Sequence, residues 1–149
     1  MKFAESYKIE DEITHKIIHN ILDFANALCV NDLCVKFYEL SWKLGYQINK
    51  NMNALDDWLI NHHIDLDPRE DMVQLRQIAT FLQLRMDNLS DLKIAQEFCY
   101  HLNPIQLQTI LKKYKPTKTE REISPEITNF LANVVKRNKG HSDSLTLKM

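Results

Sequence analysis

SWKLGYQINKNMNALDDWL, residues 41–59, sets two tryptophans, Trp42 and Trp58, around one of the chain's two glycines and a row of amides. Gln47, Asn49, Asn51 and Asn53 make the row, and Lys50 is the only charge among them. Gly45 is expected to end one helix, because a residue without Cβ enters the left-handed cap conformation at little cost. Asn51 or Asn53 is expected to cap the next, with Asp56 and Asp57 in its first turn, where the dipole favours acids. Read so, the stretch is a helix hairpin with a polar connector turned to a partner. Trp42 and Trp58 then anchor its two arms in the core, each burying on the order of 200 Å².

The surrounding periodicity is helical. Ile9, Ile13, Ile17, Ile18, Ile21, Leu22 and Leu28 recur at three- and four-residue steps over residues 9–29. Asn31-Asp32 is expected to start a second helix through Leu33, Val35, Phe37, Leu40 and Trp42. The stretch 62–71, HHIDLDPRED, interrupts the pattern at Pro68. A further helix runs from Met72 to near Arg85, and another, capped by Ser90 with Asp91, runs through Leu92, Ala95, Phe98 and Cys99. Asn103-Pro104 and Ser124-Pro125-Glu126 each place a cap before a proline at the first helical position. These begin helices ending near Tyr114 and Lys136. No stretch alternates as a strand, and two glycines with four prolines are too few for the turns of a sandwich or barrel.

The predicted fold is therefore all-α, a single bundle of six to seven helices. Residues 1–8 are expected to be a lead-in, residues 9–137 the helical domain, and residues 138–149 a flexible or extended tail. The length of 149 residues suits one domain with a sizeable core.

Net charge is −1, unevenly spread: residues 1–111 carry a net −6 and residues 112–139 a net +5. Lys112, Lys113, Lys115, Lys118, Lys136, Arg137 and Lys139 could face phosphates, but a pI of about 6.6 is low for a nucleic-acid-binding domain. Three cysteines, Cys29, Cys34 and Cys99, are odd in number and sit among apolar residues, which fits free core thiols rather than disulfides. With no apolar signal core and no apolar run near ~20 residues, the chain reads as intracellular and soluble.

Catalytic chemistry is not indicated. The two glycines lie too far apart for a phosphate loop, and no nucleophile motif is present. His62-His63 with Asp65 and Asp67, Cys29 with Cys34, and Cys99 with His101 do not match zinc spacings. Asp65, Asp67 and Asp71 lack the central glycine of a calcium loop. No metal, cofactor or catalytic residue is assigned.

The opening stretch also resembles the dilute-type segment in the globular tail of class V myosins, with its Ser-Trp-Lys-x-Gly, amide-rich run and acidic pair before tryptophan. IATFLQLRMDNLSD (78–91), LNPIQLQTILKKYKP (102–116) and ISPEI (123–127) resemble the following family blocks in order. The resemblance covers about residues 7–137 and corresponds to the second, C-terminal subdomain of an all-α tail. It implies a non-catalytic, cytoplasmic cargo-binding module that links an actin-based motor to vesicles or organelles. Its expected partners are a Rab GTPase or a cargo adaptor protein, with no nucleic acid. It also implies an apolar surface, expected on helix 9–29, that the first tail subdomain would cover.

The family's Rab contacts map onto Gln83 and onto Lys50, where relatives carry tyrosine. Lysine keeps an alkyl stem but loses the aromatic face, so that contact is expected to be weakened or redirected. The expected partner-binding residues are Gln47, Asn49, Lys50, Asn51 and Gln83. A dilute-type domain of an afadin-like junctional scaffold and a helical nucleic-acid-binding module are the alternatives.

Overall fold

A computed structural model describes residues 2–36, 39–65, 67, 70–118, 122–138 and 145–148, with side chains from residue 7 onward. Six helices lie among them: α1 (Lys2–Val35), α2 (Trp42–Asn61), α3 (Val73–Phe81), α4 (Leu89–Phe98), α5 (Pro104–Lys113) and α6 (Pro125–Arg137). The all-α prediction holds. The expected positions of Phe37, Pro68 and Lys139 fall outside the described residues.

The helix beginning at Lys2 replaces the expected lead-in, and it does not stop at residue 29. It runs through Asn31 and Asp32 to Val35 because nothing there breaks it. Leu22, Asn26, Val30 and Leu33 keep one buried face at helical spacing. Asp32 pairs with Lys36 one turn on, at 2.7 Å. Asn31, expected to cap a new helix, turns its amide to the backbone of Leu147 instead. Lys113 of α5 donates to the Leu33 and Cys34 carbonyls and so satisfies two acceptors at the end of α1.

The hairpin reading of residues 41–59 is overturned. Ser41 caps α2, accepting from Leu44 N at 3.2 Å, and the helix then runs unbroken for 20 residues. Gly45 is buried inside it. A Cβ at Gly45 would lie 2.7 Å from the Ala79 carbonyl oxygen and 2.8 Å from Leu82 Cβ. The glycine permits close approach of α3; it is not a helix stop. Asp56 therefore sits in mid-helix, paired with Arg76 of α3 through two bonds of 2.8 and 2.5 Å. The tryptophans are not core anchors either. Trp42 is 41% exposed and stacks on Tyr46; Trp58 is 49% exposed and stacks on His62.

α3 ends at Phe81, short of the expected Arg85. Its N-cap residue, Met72, is in the left-handed region (φ 55°) and offers no side-chain cap. Asn26 of α1 supplies one, accepting from Leu75 N at 3.0 Å and donating to Gln74 at 2.6 Å. Nearby, His19 meets the buried carboxylate of Asp71 at 2.7 Å. The cap of α4 falls two residues before the expected Ser90, at a box formed by Asn88 and Asp91. The caps at Asn103-Pro104 and Ser124-Pro125 stand as predicted, and Gln106 completes a second box.

The core joins all six helices through Val30, Leu59, Ile78, Leu92, Ile110 and Leu131, each fully buried. Leu40, also fully buried, exchanges backbone bonds with Lys113 and Lys115 (2.8 and 2.7 Å), tying the α1–α2 connection to the end of α5. Cys34 and Cys99 are buried and Cys29 is half-buried, all free, as core thiols should be. Burial pushes all three thiols up, Cys99 to about 11, so they stay protonated near neutrality.

Gly45→Ala separates the two readings of that glycine. In an ordinary helix the change stabilises by about 0.8–1 kcal/mol. Here the added methyl meets a backbone carbonyl, and the expected outcome is a loss of about 1–3 kcal/mol in urea unfolding.

Candidate protein-binding surface

α2 and α3 run antiparallel, with Gly45 against Ala79 and Leu82 and Asp56 against Arg76. The close contact at Gly45 draws the end of α3 onto the first turn of α2. Beyond Phe81 the chain leaves the helix, and residues 82–87 form the rim of a cleft of about 310 Å³. Trp42 closes one side of it; Ile110, Leu111 and Tyr114 of α5 and its end form the floor, with Ile123 beside them. The rim is fixed by Ser124 N donating to the Met86 carbonyl (3.2 Å) and by Arg85 pairing with Asp87 (2.9 Å).

Gln83 lies on this rim, half-buried. Its amide donates to the Ala79 carbonyl at 2.9 Å, the same carbonyl that crowds Gly45. The bond satisfies an acceptor at the end of α3 and leaves the Gln83 carbonyl oxygen directed elsewhere.

The other four expected residues lie on α2 and do not share one face. At ~100° per residue, Asn49 is turned only about 40° from Gly45, whereas Lys50, Asn51 and Gln47 are turned about 140°, 120° and 160°. Burial agrees: Asn49 is half-buried, and Gln47, Lys50 and Asn51 are exposed. Gln47 donates to Asn51 one turn on at 2.9 Å. Of the five, Gln83 alone lines the cleft.

Sequence reasoning missed Trp42 and Tyr46 as surface groups. Their rings stack at 5.5 Å, 7° from parallel, as an exposed ledge beside the cleft. The i,i+4 spacing was the available signal, and it was hidden by taking Gly45 as a helix end. A half-exposed stacked aromatic next to an apolar cleft suits a protein partner, since it offers large area at low entropic cost.

A second apolar surface runs along α1. Ile9, Ile13, Ile17, Ile21 and Phe24 are all more than half exposed, and Leu28 continues the line. Their three- and four-residue spacing makes one stripe, opposite the face that Leu22, Asn26 and Val30 bury. The apolar surface expected on this helix is present.

The basic segment is partly committed: Lys113 caps α1, and Lys115 pairs with Glu39. No group of three His, Cys, Asp or Glu among the described residues is arranged to hold a metal ion, and no described helix is long and apolar enough to cross a membrane.

This helical bundle belongs to the DIL domain family, whose model matches residues 16–118. Its relatives include class V myosins of yeasts. Over 132 residues the chain is 39% identical to Myosin-4 of Saccharomyces cerevisiae, and over 140 residues it is 35% identical to Myosin-2 of the same yeast. These matches take in 88% and 94% of this chain but 9% of each relative. Among solved structures, Myo2-GTD in complex with Inp2 superposes with a TM-score of 0.86 at 34% identity. That match covers 97% of this chain and 37% of the solved one; the Myo4p globular tail domain gives a TM-score of 0.79 at 36% identity. Other matching structures are Myo2-GTD complexes with Smy1 and with Mmr1. The matched region is the tail domain and not the motor, so this chain corresponds to a non-catalytic part of its relatives.

Truncation should distinguish ledge from core. Trp42→Ala is expected to cost less stability than Leu59→Ala, for which the expected loss is about 2–5 kcal/mol, both read from urea midpoints.

Proposed function

We propose that this chain is a cargo-binding unit of a class V myosin tail, joining an actin-based motor in the cytoplasm to vesicles or organelles through a Rab GTPase or an adaptor protein. The single observation that carries the reading is the cleft beside Trp42 and Tyr46, rimmed by Gln83. It combines an apolar floor, a half-exposed aromatic ledge and one amide, the makings of an interface hot spot. The Inp2, Smy1 and Mmr1 complexes of a similar tail support the adaptor half of the proposal. The Rab half rests on Gln83 at the cleft, with Asn49 on the side of α2 nearest Gly45 and Gln47, Lys50 and Asn51 on its exposed side.

The stripe on α1 belongs to the same proposal. The chain spans 37% of the solved Myo2-GTD chain. The remaining tail, the first subdomain, is the occupant that would cover Ile9, Ile13, Ile17 and Ile21. The nucleic-acid alternative is disfavoured by the engagement of Lys113 and Lys115 within the fold. The afadin-like alternative has no observation in its favour, since the similar proteins named above are myosins.

A pull-down against vesicle Rab GTPases loaded with GTP or GDP tests the partner class. GTP-selective binding, lost in Gln83→Ala and Trp42→Ala and strengthened in Lys50→Tyr, is expected. Binding of no GTPase by the folded chain or by Lys50→Tyr would overturn the Rab half and leave the adaptor half to stand on a direct assay with Inp2-type adaptors.

A further inference from the structure

Away from the cleft, residues 145–148 lie across α1 and α5 as a strap. Asn31 of α1 holds the strap by its backbone: its amide donates to the Leu147 carbonyl at 2.9 Å, and its Oδ1 accepts from Leu147 N at 2.6 Å. One side chain thus meets both backbone groups of one residue, as an adjacent strand would. Gln106 of α5, 1% exposed, donates to the Leu145 carbonyl at 3.3 Å. Leu145 and Leu147 are half-buried against the core, while Thr146 between them and Lys148 after them are exposed. That alternation is the period of an extended chain. Lys148 borders an open depression of about 590 Å³ whose other walls include Asp23 and Glu70.

We propose that this α1–α5 groove is a peptide site, occupied in cis by Leu145–Lys148, and that it accepts from a partner protein an extended segment with leucines two residues apart followed by a basic residue. The polar contacts read the peptide backbone, the two leucine seats set the spacing, and Asp23 and Glu70 select the basic end. This is peptide capture in the manner of strand addition, with side-chain amides in place of a sheet edge. The groove is separate from the cleft at Gln83 and does not depend on the cargo reading. Asn31 is committed to it: the residue sits inside α1, where its side chain caps nothing, and both of its hydrogen-bonding groups go to Leu147.

The test uses the full 149-residue chain and a fluorescent peptide of residues 141–149, HSDSLTLKM. Leu145→Asp with Leu147→Asp unseats the strap and leaves the groove's own residues unchanged. This double variant is expected to bind the peptide at least about tenfold more tightly than wild type, whose groove is filled. Adding Asn31→Ala should remove that gain, and a peptide carrying aspartate at both leucine positions should not bind. Equal binding by wild type and the double variant, or indifference to Asn31→Ala, would overturn the proposal.

Wild type provides a second reading that needs no variant to fold. Hydrogen exchange at the Leu147 amide should be at least about a hundredfold faster than at Val30 and Ile110, because the strap detaches without global unfolding. Exchange at Leu147 as slow as at those core amides would show a fixed part of the fold and overturn the proposal.

Discussion

The contact of Gly45 with the last turn of α3 is the constraint on which the rest of the molecule depends. A hydrogen in place of Cβ lets the Ala79 carbonyl and Leu82 come up against the α2 backbone. That approach lays α3 antiparallel along α2, brings Arg76 to Asp56 in a part-buried bidentate pair, and places Gln83 beside the first turn of α2. The cleft exists because α3 stops there: residues 82–87 leave the helix and become its rim. A larger residue at 45 would push the rim away from Trp42 and widen the cleft.

The short helices are held from outside themselves. α3, α4 and α5 have 9, 10 and 10 residues, below the ~12–15 residues at which an isolated helix becomes even marginal in water. α4 and α5 carry their own capping boxes. α3 does not, and it borrows Asn26 from α1. α1 in turn has its last carbonyls met by Lys113 of α5. The His19–Asp71 contact adds a second tie, after Asn26, between α1 and the start of α3. These long-range polar contacts make the long helix a spine against which the cleft-bearing helices are set, with its outer stripe left apolar.

Much of this was legible in the sequence, and the failures share one cause. The caps that carry their own chemistry, Asn103-Pro104 and Ser124-Pro125, were read correctly because the signal is local. The apolar stripe of α1 was legible as periodicity, and the cysteines as core thiols. Gly45 was misread because a helix-ending glycine and a glycine at a helix crossing are identical in one dimension; only the position of Ala79 and Leu82 separates them. That error split α2 into a hairpin, moved Asp56 and Asp57 to a helix start, and placed Trp42 and Trp58 in the core. Asn31 was misread likewise, since its partner Leu147 lies 116 residues away. Of the expected binding residues, Gln83 falls on the cleft, while Gln47, Lys50 and Asn51 fall on the outward side of a helix that the sequence had drawn as a loop.

The continuity of α2 tests the account most directly, because the seat of Gly45, the position of the cleft and the exposure of both tryptophans follow from it. Spin labels on unnatural residues at the exposed positions Lys43 and Asn61 would report their separation by pulsed electron resonance. An unbroken helix places the two backbones about 27 Å apart, at ~1.5 Å per residue. A single distance near that value is the predicted result. A much shorter separation, as a hairpin turning at Gly45 to Asn53 would give, would contradict the account.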